Sequence, residues 1–393
     1  MKLYIAIPAL DELEYLPQTL NAISKQKTDY PFQVYICVNQ PDMWWKDKEK
    51  IKICKNNQEL LGFLKNFKDF DIHTIDKTSI NKGWLGKCVG VGWARKTLFE
   101  EILEIASPED VLISLDADTL FNESYFQSIG ENFTQNKIDI LALPYYHKLT
   151  NNDESDRAIL LYEIYLRSYF INMHRIGSPY AFTAIGSAIA VKVKTLKKIR
   201  GITPLNSGED FYLIQKLRKM SPISNYNTEI VFPAARFSTR VPFGTGPTMI
   251  RFRSGNFQSY HYYHESLFDK IKDTYDIIPE LFTVNKETEF VEFLKKQYKT
   301  DDLWGPLRKN SKTLQQFTRA FHEKADGLRI LQFLKAKHES NNTLSPSYNH
   351  SFSERNSFLS LNIFNKLSIN ELNKIRNDLF EKEMILRKSC LHI

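Results

Sequence analysis

The segment Val111-Leu112-Ile113-Ser114-Leu115-Asp116-Ala117-Asp118 decides the fold class of this chain. It opens with a short apolar run, which is typical of a buried strand. Two carboxylates follow at i, i+2, where that strand ends. Ligands of open α/β sheets bind at the carboxyl ends of the strands, so Asp116 and Asp118 are predicted to face one cavity.

Apolar runs alternate with helical repeats over the first half of the chain. This alternation predicts an α/β fold with a mostly parallel sheet and helices on both faces. Further strands are predicted at residues 3–7, 34–38, 72–75 and 138–143, and helices at about 13–23, 89–106, 155–173 and 210–220.

Beyond residue 255 the pattern is mainly helical. A Ser/Asn-rich linker is predicted near residues 340–357. Ser368 and Glu371 form a capping box, which predicts a terminal helix. The prediction is a domain over residues 1–250 followed by a helical C-terminal region over residues 251–393.

Composition excludes several classes of protein. With 393 residues and 42% hydrophobic residues, the chain can bury a large core and is not mostly disordered. The net charge of +7 is mild and both signs are interspersed, so no nucleic-acid partner is predicted. The longest uncharged stretch, 176–191, is too short to span a membrane. The expected location is cytoplasmic, and peripheral contact with the inner face of a membrane is left open.

The D-x-D pattern suits a divalent metal. Carboxylate oxygens are hard ligands, and Mg²⁺ or Mn²⁺ is commonly held by one or two carboxylates plus substrate phosphates. A capped turn is the alternative for Asp116 and Asp118. A second D-x-D at Asp69 and Asp71 lacks a preceding apolar run and is interpreted as surface.

Two further segments could carry chemistry. Glu209 and Asp210 follow Gly208 just before a helical repeat, where an acidic pair is either a helix cap or part of a site. The glycine-rich segment 83–95 includes Lys87 and Arg95, which could meet phosphates. It does not follow the first strand, so a dinucleotide-binding fingerprint is not predicted.

Together these motifs resemble glycosyltransferase family 2, the inverting nucleotide-sugar transferases of the GT-A fold. The resemblance covers about residues 3–250 and rests on the order of several short motifs. The motifs are Ile5–Glu12, Gly92–Arg95, Leu115–Asp118, Ile185–Ala190 and Gly208–Asp210.

The resemblance implies roles for individual residues. Asp118 would hold the metal, Mn²⁺ or Mg²⁺, and Asp116 would contact the donor ribose or the metal. Asp210 would be the catalytic base that deprotonates the acceptor hydroxyl, while Glu209 would orient the acceptor or its loop. The residues expected to bind the nucleotide sugar are Pro8, Ala9, Leu10, Glu12, Asn39, Lys87, Arg95, Asp116, Ala117, Asp118, Gly186 and Arg240.

Several of these assignments stay open. Asn39 stands where the family usually has Asp, and Asp11 where it usually has Asn, so the donor could be UDP- or GDP-linked. Arg95 is either a donor contact or a structural ion-pair former. Arg236 and Arg240, within residues 233–246, either clamp the diphosphate or belong to a surface loop.

The predicted function is metal-dependent, inverting transfer of a sugar from a nucleotide diphosphate to an acceptor hydroxyl, in cell-surface or lipid-linked glycan synthesis. An inactive nucleotide-binding scaffold of the same fold is one alternative. A sugar-phosphate nucleotidyltransferase is another. It would need a basic, glycine-rich loop after the first strand, where this chain has Ala9-Leu10-Asp11-Glu12.

Overall fold

The computed structural model of the protein describes residues 1–183, 185–206, 208–238, 245–253, 262–340, 364 and 366–389. The chain forms two compact units. One comprises Met1–Ile159, Phe182–Ser254 and Arg387–Ile393, and the other comprises Leu160–Ala181 and Gly255–Leu386. Residues 160–181 therefore group with the C-terminal region, whereas the predicted division lies at residue 250. The predicted linker lies outside the described residues from position 341 onward.

A six-stranded sheet and a two-stranded sheet form the framework of the first unit. The order in the large sheet is β3-β2-β1-β4-β7-β6, and β5 pairs with β8. The strands are β1 (Leu3–Ala9), β2 (Phe32–Asn39), β3 (Ile72–Lys77), β4 (Val111–Ser114), β5 (Thr119–Phe121), β6 (Ile140–Ala142), β7 (Ile189–Lys192) and β8 (Val231–Pro233).

Helices connect these strands. They are α1 (Leu16–Ser24), a 3₁₀ helix (Asp42–Lys46), α2 (Ile51–Asn66), α3 (Val91–Ile105), α4 (Tyr125–Gln135), α5 (Asp153–Arg175), α6 (Val193–Lys198), α7 (Glu209–Met220) and α8 (Thr245–Arg253). The predicted fold class, a mostly parallel α/β sheet flanked by helices and followed by a helical C-terminal region, is confirmed.

The sheet is parallel from β3 to β4 and changes direction at β7. β1 pairs in parallel with both β2 and β4, whereas β7 is antiparallel to β4 and to β6. Every residue of β1 and of β4 is buried, as expected for central strands covered on both faces. The carboxyl ends of β1, β2 and β4 consequently lie along one edge of the sheet.

The second unit is helical. Besides residues 160–175 of α5, it contains α9 (Glu265–Asp276), α10 (Ile278–Leu281), α11 (Glu289–Tyr298), α12 (Gly305–Asn310), α13 (Leu314–Lys324), α14 (Gly327–Ser340) and most of α15 (Ile369–Ser389). The predicted capping box is confirmed at the start of α15, because Glu371 Oε2 accepts from Ser368 N at 2.7 Å and Ser368 Oγ accepts from Glu371 N at 3.3 Å.

Buried ion pairs connect α5 to α15 inside this unit. Arg167 lies 2.9 Å from Glu163 and 2.6 Å from Glu383, and Arg376 lies 3.2 Å from Glu163. All four side chains are at least 99% buried. Such pairs contribute little net stability, but removing one partner leaves an uncompensated buried charge.

None of the helices in the described ranges is both long and apolar enough to cross a membrane.

Candidate active site

The D-x-D segment leaves β4 at the carboxyl edge of the large sheet and enters β5. Ala117 is buried, and its carbonyl accepts a hydrogen bond from Thr19 Oγ1 at 2.8 Å. The flanking carboxylates are only partly buried, with side-chain exposures of 36% for Asp116 and 16% for Asp118. The segment therefore anchors its middle residue and leaves both acids at the edge of the sheet.

Arg95 is the centre of the first charged cluster. It extends from α3, is almost fully buried, and donates from Nε to Glu209 Oε1 at 2.9 Å. Its two terminal nitrogens bond Asp116 Oδ1 and Ser114 Oγ. Burial lowers the pKa of Arg95, but the carboxylates of Asp116, Glu209 and Asp210 outweigh it and hold the pKa above its usual value. Of the two alternatives for Arg95, the structure shows the ion-pair former.

Asp210 sits beside this cluster in the first turn of α7. The preceding Gly208 has φ of 74°, a left-handed conformation that glycine adopts without strain. Asp210 Oδ1 accepts from the N–H of Phe211 at 2.7 Å. Burial raises the pKa of Asp210 to about 7, and the neighbouring Glu209 carboxylate adds to the rise while Arg95 opposes it. Asp210 can therefore exchange a proton near neutral pH.

Gly186 lies directly against the Arg95 cluster. A Cβ atom at this position would overlap the Arg95 guanidinium and would lie 3.6 Å from Asp116 Oδ2. A side chain at position 186 would therefore have to displace the Arg95 guanidinium. This places Gly186 next to the predicted site, with a role in leaving room for Arg95 and Asp116.

Arg236 is the centre of the second charged cluster. Its Nε donates to Asp118 Oδ2 at 2.8 Å, and its Nη2 contacts both carboxylate oxygens of Glu12 at 2.6 and 2.8 Å. The guanidinium also lies 4.0 Å from the centre of the Tyr15 ring, a cation–π distance. The structure thus pairs a residue of the loop after β8 with the loop after β1 and with the D-x-D segment.

Asp116 and Asp118 are the residues that could hold the predicted divalent metal. Asp116 Oδ2 and Asp118 Oδ1 have no hydrogen bond from any described residue. No group of three or more Asp, Glu, His or Cys ligands occurs among the described residues. The protein would therefore supply two carboxylate ligands, and the other ligands would come from substrate phosphates and water, as Mg²⁺ sites commonly arrange. Arg236 would compete with the metal for Asp118.

The ends of β1 and β2 form a third part of the site. Asn39 is buried, donates from Nδ2 to the carbonyl of Ala9 at 2.9 Å, and accepts at Oδ1 from Trp84 Nε1 at 3.1 Å. Both ends of its amide therefore bond to the protein. Pro8 and Ala9 are buried within β1, which runs past its predicted end, and Leu10 is half-buried.

The remaining predicted residues are less informative. Lys87 lies exposed on the loop before α3, whereas Arg95 is buried, so the two do not form a common phosphate cradle. Arg240 lies outside the described residues. The second D-x-D, at Asp69 and Asp71, is exposed as interpreted from the sequence.

Sequence reasoning missed three contributors to the site. The sequence does not single out Ser114, Tyr15 or Trp84, yet they contact Arg95, Arg236 and Asn39 respectively. A cavity of about 210 Å³ opens beside this region and is lined by both charged and apolar side chains. Its lining includes Tyr15, Gln18, Thr19, Asp118, Leu120, Lys148, Phe232 and Arg236.

Comparison with known proteins gives similarity at the level of structure only. No protein-family model matches the sequence, and no curated protein sequence matches it significantly. The S. aureus TarS fragment 1–349 in complex with UDP-GlcNAc is similar with a TM-score of 0.43 and 14% identity, over 87% of this chain and 92% of that chain. The same fragment with UDP gives 0.43 and 14%, over 91% and 95%.

A second similar structure is glucosyl-3-phosphoglycerate synthase from Mycobacterium tuberculosis in complex with Mn²⁺, UDP and glucosyl-3-phosphoglycerate. Its TM-score is 0.35 at 12% identity, over 65% of this chain and 80% of that chain. All three TM-scores lie below 0.5, so these likenesses indicate nothing about the activity of this chain.

Proposed function

We propose that the protein is a glycosyltransferase that moves a sugar from a nucleotide-diphosphate donor to an acceptor hydroxyl. The observation that carries the proposal is the arrangement around Arg95. This buried arginine holds Asp116 of the D-x-D segment and Glu209 of α7, so that Asp210 follows directly beside the same site. Metal-ligand carboxylates and a carboxylate that titrates near neutrality are the groups that such a transfer needs.

Asp118 and Asp116 would hold Mn²⁺ or Mg²⁺ together with the donor's phosphates. When bound, the divalent ion would neutralise the negative charge that develops on the departing diphosphate. Arg236 is placed to contribute to the same task, because its planar guanidinium matches phosphate oxygens and already contacts Asp118. We assign the diphosphate-clamp role to Arg236, one of the two arginines that the sequence offers for it.

Asp210 would act as the base. As the acceptor oxygen bonds to the anomeric carbon, Asp210 would take the hydroxyl proton while the bond from that carbon to the diphosphate breaks. Attack on the face opposite the leaving group would invert the anomeric configuration. A base with pKa near 7 combines a large ionised fraction at neutral pH with useful basicity. Arg95 and Glu209 would position this carboxylate relative to the D-x-D segment.

The donor base and the acceptor are proposed only as classes. The donor is UDP- or GDP-linked, and the acceptor is a hydroxyl of a cell-surface or lipid-linked glycan precursor. Asn39 and Ala9, at the ends of β2 and β1, would line the base and ribose. Because Asn39 is buried and both ends of its amide bond to the protein, we expect it to fix the ends of β1 and β2 beneath the base.

A donor-turnover assay tests this proposal. The purified chain would be incubated with UDP- and GDP-sugars, Mn²⁺ and glycan acceptors, and the release of nucleoside diphosphate would be measured. We expect release with one donor, a product of inverted anomeric configuration, and loss of turnover in Asp210→Asn but not in the surface control Asp71→Asn. Nucleotide binding without turnover would favour the inactive scaffold, and activity only with a nucleoside triphosphate would favour the nucleotidyltransferase.

A further inference from the structure

Two loops meet at the carboxyl ends of β2 and β3. The N–H of Asp42 donates to the carbonyl of Trp84 at 3.0 Å, and the N–H of Asn81 donates to Asp42 Oδ1 at 2.7 Å. Trp45 Nε1 donates to the carbonyl of Thr78 at 2.9 Å. These bonds join the 3₁₀ helix to the loop before α3. We call the outer face of residues 42–48 and 79–87 the rim surface.

Large apolar side chains on the rim surface are exposed to solvent. Met43 is 73% exposed, Ile80 is 65% exposed and Leu85 is 73% exposed. Each is the immediate neighbour of a residue whose backbone takes part in the bonds that join the two loops, so all three lie on the joined loops. Single exposed apolar residues are ordinary, but three strongly exposed ones on two short loops that are bonded together indicate an interaction site.

The rim surface and the segments that flank it are also rich in lysine. Residues 41–55 and 76–90 together contain eight lysines and four acidic residues, in a chain whose whole net charge is +7. Two of the acids are engaged locally: Asp42 accepts from Asn81, and Asp76 accepts from Thr78 N at 3.0 Å and pairs with Lys82 at 3.1 Å. The excess of lysines over acidic residues is not apparent from the sequence, because the two segments are separated along the chain.

We propose that the rim surface binds the surface of an anionic phospholipid bilayer. Exposed Met, Ile and Leu side chains can enter the boundary between headgroups and acyl chains while the surrounding lysines contact the anionic headgroups. The chemistry fits a bilayer better than single-stranded nucleic acid, which would need exposed aromatic rings for base stacking. Here Trp44, Trp45 and Trp84 are half-buried. The indole N–H groups of Trp45 and Trp84 donate hydrogen bonds within the protein.

This contact would place the carboxyl edge of the large sheet towards the bilayer. Asn39 ends β2 and Asp116 follows β4 at that same edge, so the candidate site would face the region where lipid-linked molecules are presented. Membrane binding by the rim surface is inferred from its exposed apolar side chains and its lysines. It does not depend on whether the proposed sugar transfer is correct.

Vesicle flotation with the full chain tests the inference. Vesicles of phosphatidylglycerol and phosphatidylcholine in equal amounts would be compared with vesicles of phosphatidylcholine alone. We expect binding to the anionic vesicles only, weakening as salt is raised. Met43→Ser/Ile80→Ser/Leu85→Ser should reduce the partition coefficient at least about tenfold. Lys46→Glu/Lys48→Glu should reduce it more, since each lysine near an anionic surface strengthens binding about fivefold.

A matched control replaces exposed apolar residues elsewhere, in the variant Ile105→Ser/Met220→Ser/Ile385→Ser. It should bind anionic vesicles as the unmodified chain does, and unchanged thermal melting of every variant would show that all are folded. Failure to bind anionic vesicles, or equal losses in the control and the Met43/Ile80/Leu85 variant, would overturn the inference. So would tighter binding to a fluorescent single-stranded RNA that depends on Lys46 and Lys48 but not on the apolar residues.

Discussion

The Nε atom of Arg95 lies 2.9 Å from Glu209 Oε1, and this bond joins α3 to the first turn of α7. The same guanidinium also bonds Asp116, which follows β4. One buried side chain thus holds the end of a strand and the start of a helix in a fixed relation. Asp210, the next residue after Glu209, takes its position from this contact.

Asp210→Asn should abolish the base while preserving the fold. The amide keeps the shape of the carboxyl group but cannot accept the acceptor's proton, so we expect kcat to fall by about 10²–10⁴. Donor affinity, measured by calorimetry, should change little. Equal kcat values in Asp210→Asn and the surface control Asp71→Asn would contradict the assignment.

The rate should depend on pH through Asp210. Because burial raises the pKa of this carboxyl to about 7, kcat/KM should rise as pH increases through about 7, where the base becomes ionised. The measurement is a pH–rate profile for donor turnover under saturating metal. A profile already flat from pH 5 upward would rule out a base with this pKa.

The stability of the fold should also depend on pH through Asp210, but it should fall as the pH rises, whereas the rate should increase. The folded-state pKa of Asp210 lies above its ordinary value of 3.8, so the folded state binds the proton more tightly than the unfolded state. The stabilising contribution of the proton is complete below pH 3.8 and is lost as pH rises towards 7. The free energy of unfolding of Asp210→Asn, compared with that of the unmodified chain, should therefore be higher at pH 8 than at pH 4. Urea denaturation at both pH values measures this difference, and Asp71→Asn should show none.

Gly186→Ala should displace the ion pair that it adjoins. The added methyl group would overlap Arg95 and approach Asp116 Oδ2. We expect turnover to fall roughly 100-fold, because small misplacements of catalytic groups have effects of this size. Gly62→Ala, inside α2 with nothing within 4 Å of the new Cβ, is the matched control. It should stabilise the fold by about 0.5–1 kcal/mol and leave turnover unchanged. Similar turnover in the two variants would refute the close-contact role of Gly186.

Arg236→Ala should separate metal binding from donor binding. Without the guanidinium on Asp118 and Glu12, Mn²⁺ should bind the nucleotide-free protein roughly tenfold more tightly, since about 1.4 kcal/mol of competing ion pairing is removed. The nucleoside diphosphate should bind more weakly, because one phosphate contact is lost. Electron paramagnetic resonance of free Mn²⁺ and calorimetry give the two affinities. The control Arg253→Ala breaks an exposed pair with Glu154 and should alter neither. A parallel fall in both affinities would contradict competition at Asp118.

Local patterns were enough to predict the framework of the site. The apolar run before Asp116 and the helical repeat after Asp210 predict both acids at element ends, and the capping box predicted at Ser368 is present. These features depend on residues close together in sequence. The order of strands within the sheet is different, and nothing in the periodicity of Ile189–Lys192 shows that β7 runs antiparallel to β4.

Ion pairs between residues that are far apart in the chain could not be predicted from the sequence. Arg236 and Glu12 are 224 positions apart, and a loop arginine gives no sign of its carboxylate partner. For this reason the sequence could not distinguish Arg236 from Arg240 as the arginine of the site. The buried pairing of Arg167 with Glu383 is separated by 216 positions and was equally hidden. Such pairs depend on how the elements pack, which is decided by the whole fold.

Calorimetric titration with UDP, GDP, CDP and dTDP, each with and without Mn²⁺, shows whether the D-x-D segment forms a nucleotide-sugar site. The unmodified chain, Asp118→Ala and the surface control Asp69→Ala would be compared. We expect that one diphosphate binds, that binding needs Mn²⁺, and that it is lost in Asp118→Ala but kept in Asp69→Ala. Binding of no diphosphate, or equal binding by Asp118→Ala, would contradict a nucleotide-sugar site at the D-x-D segment.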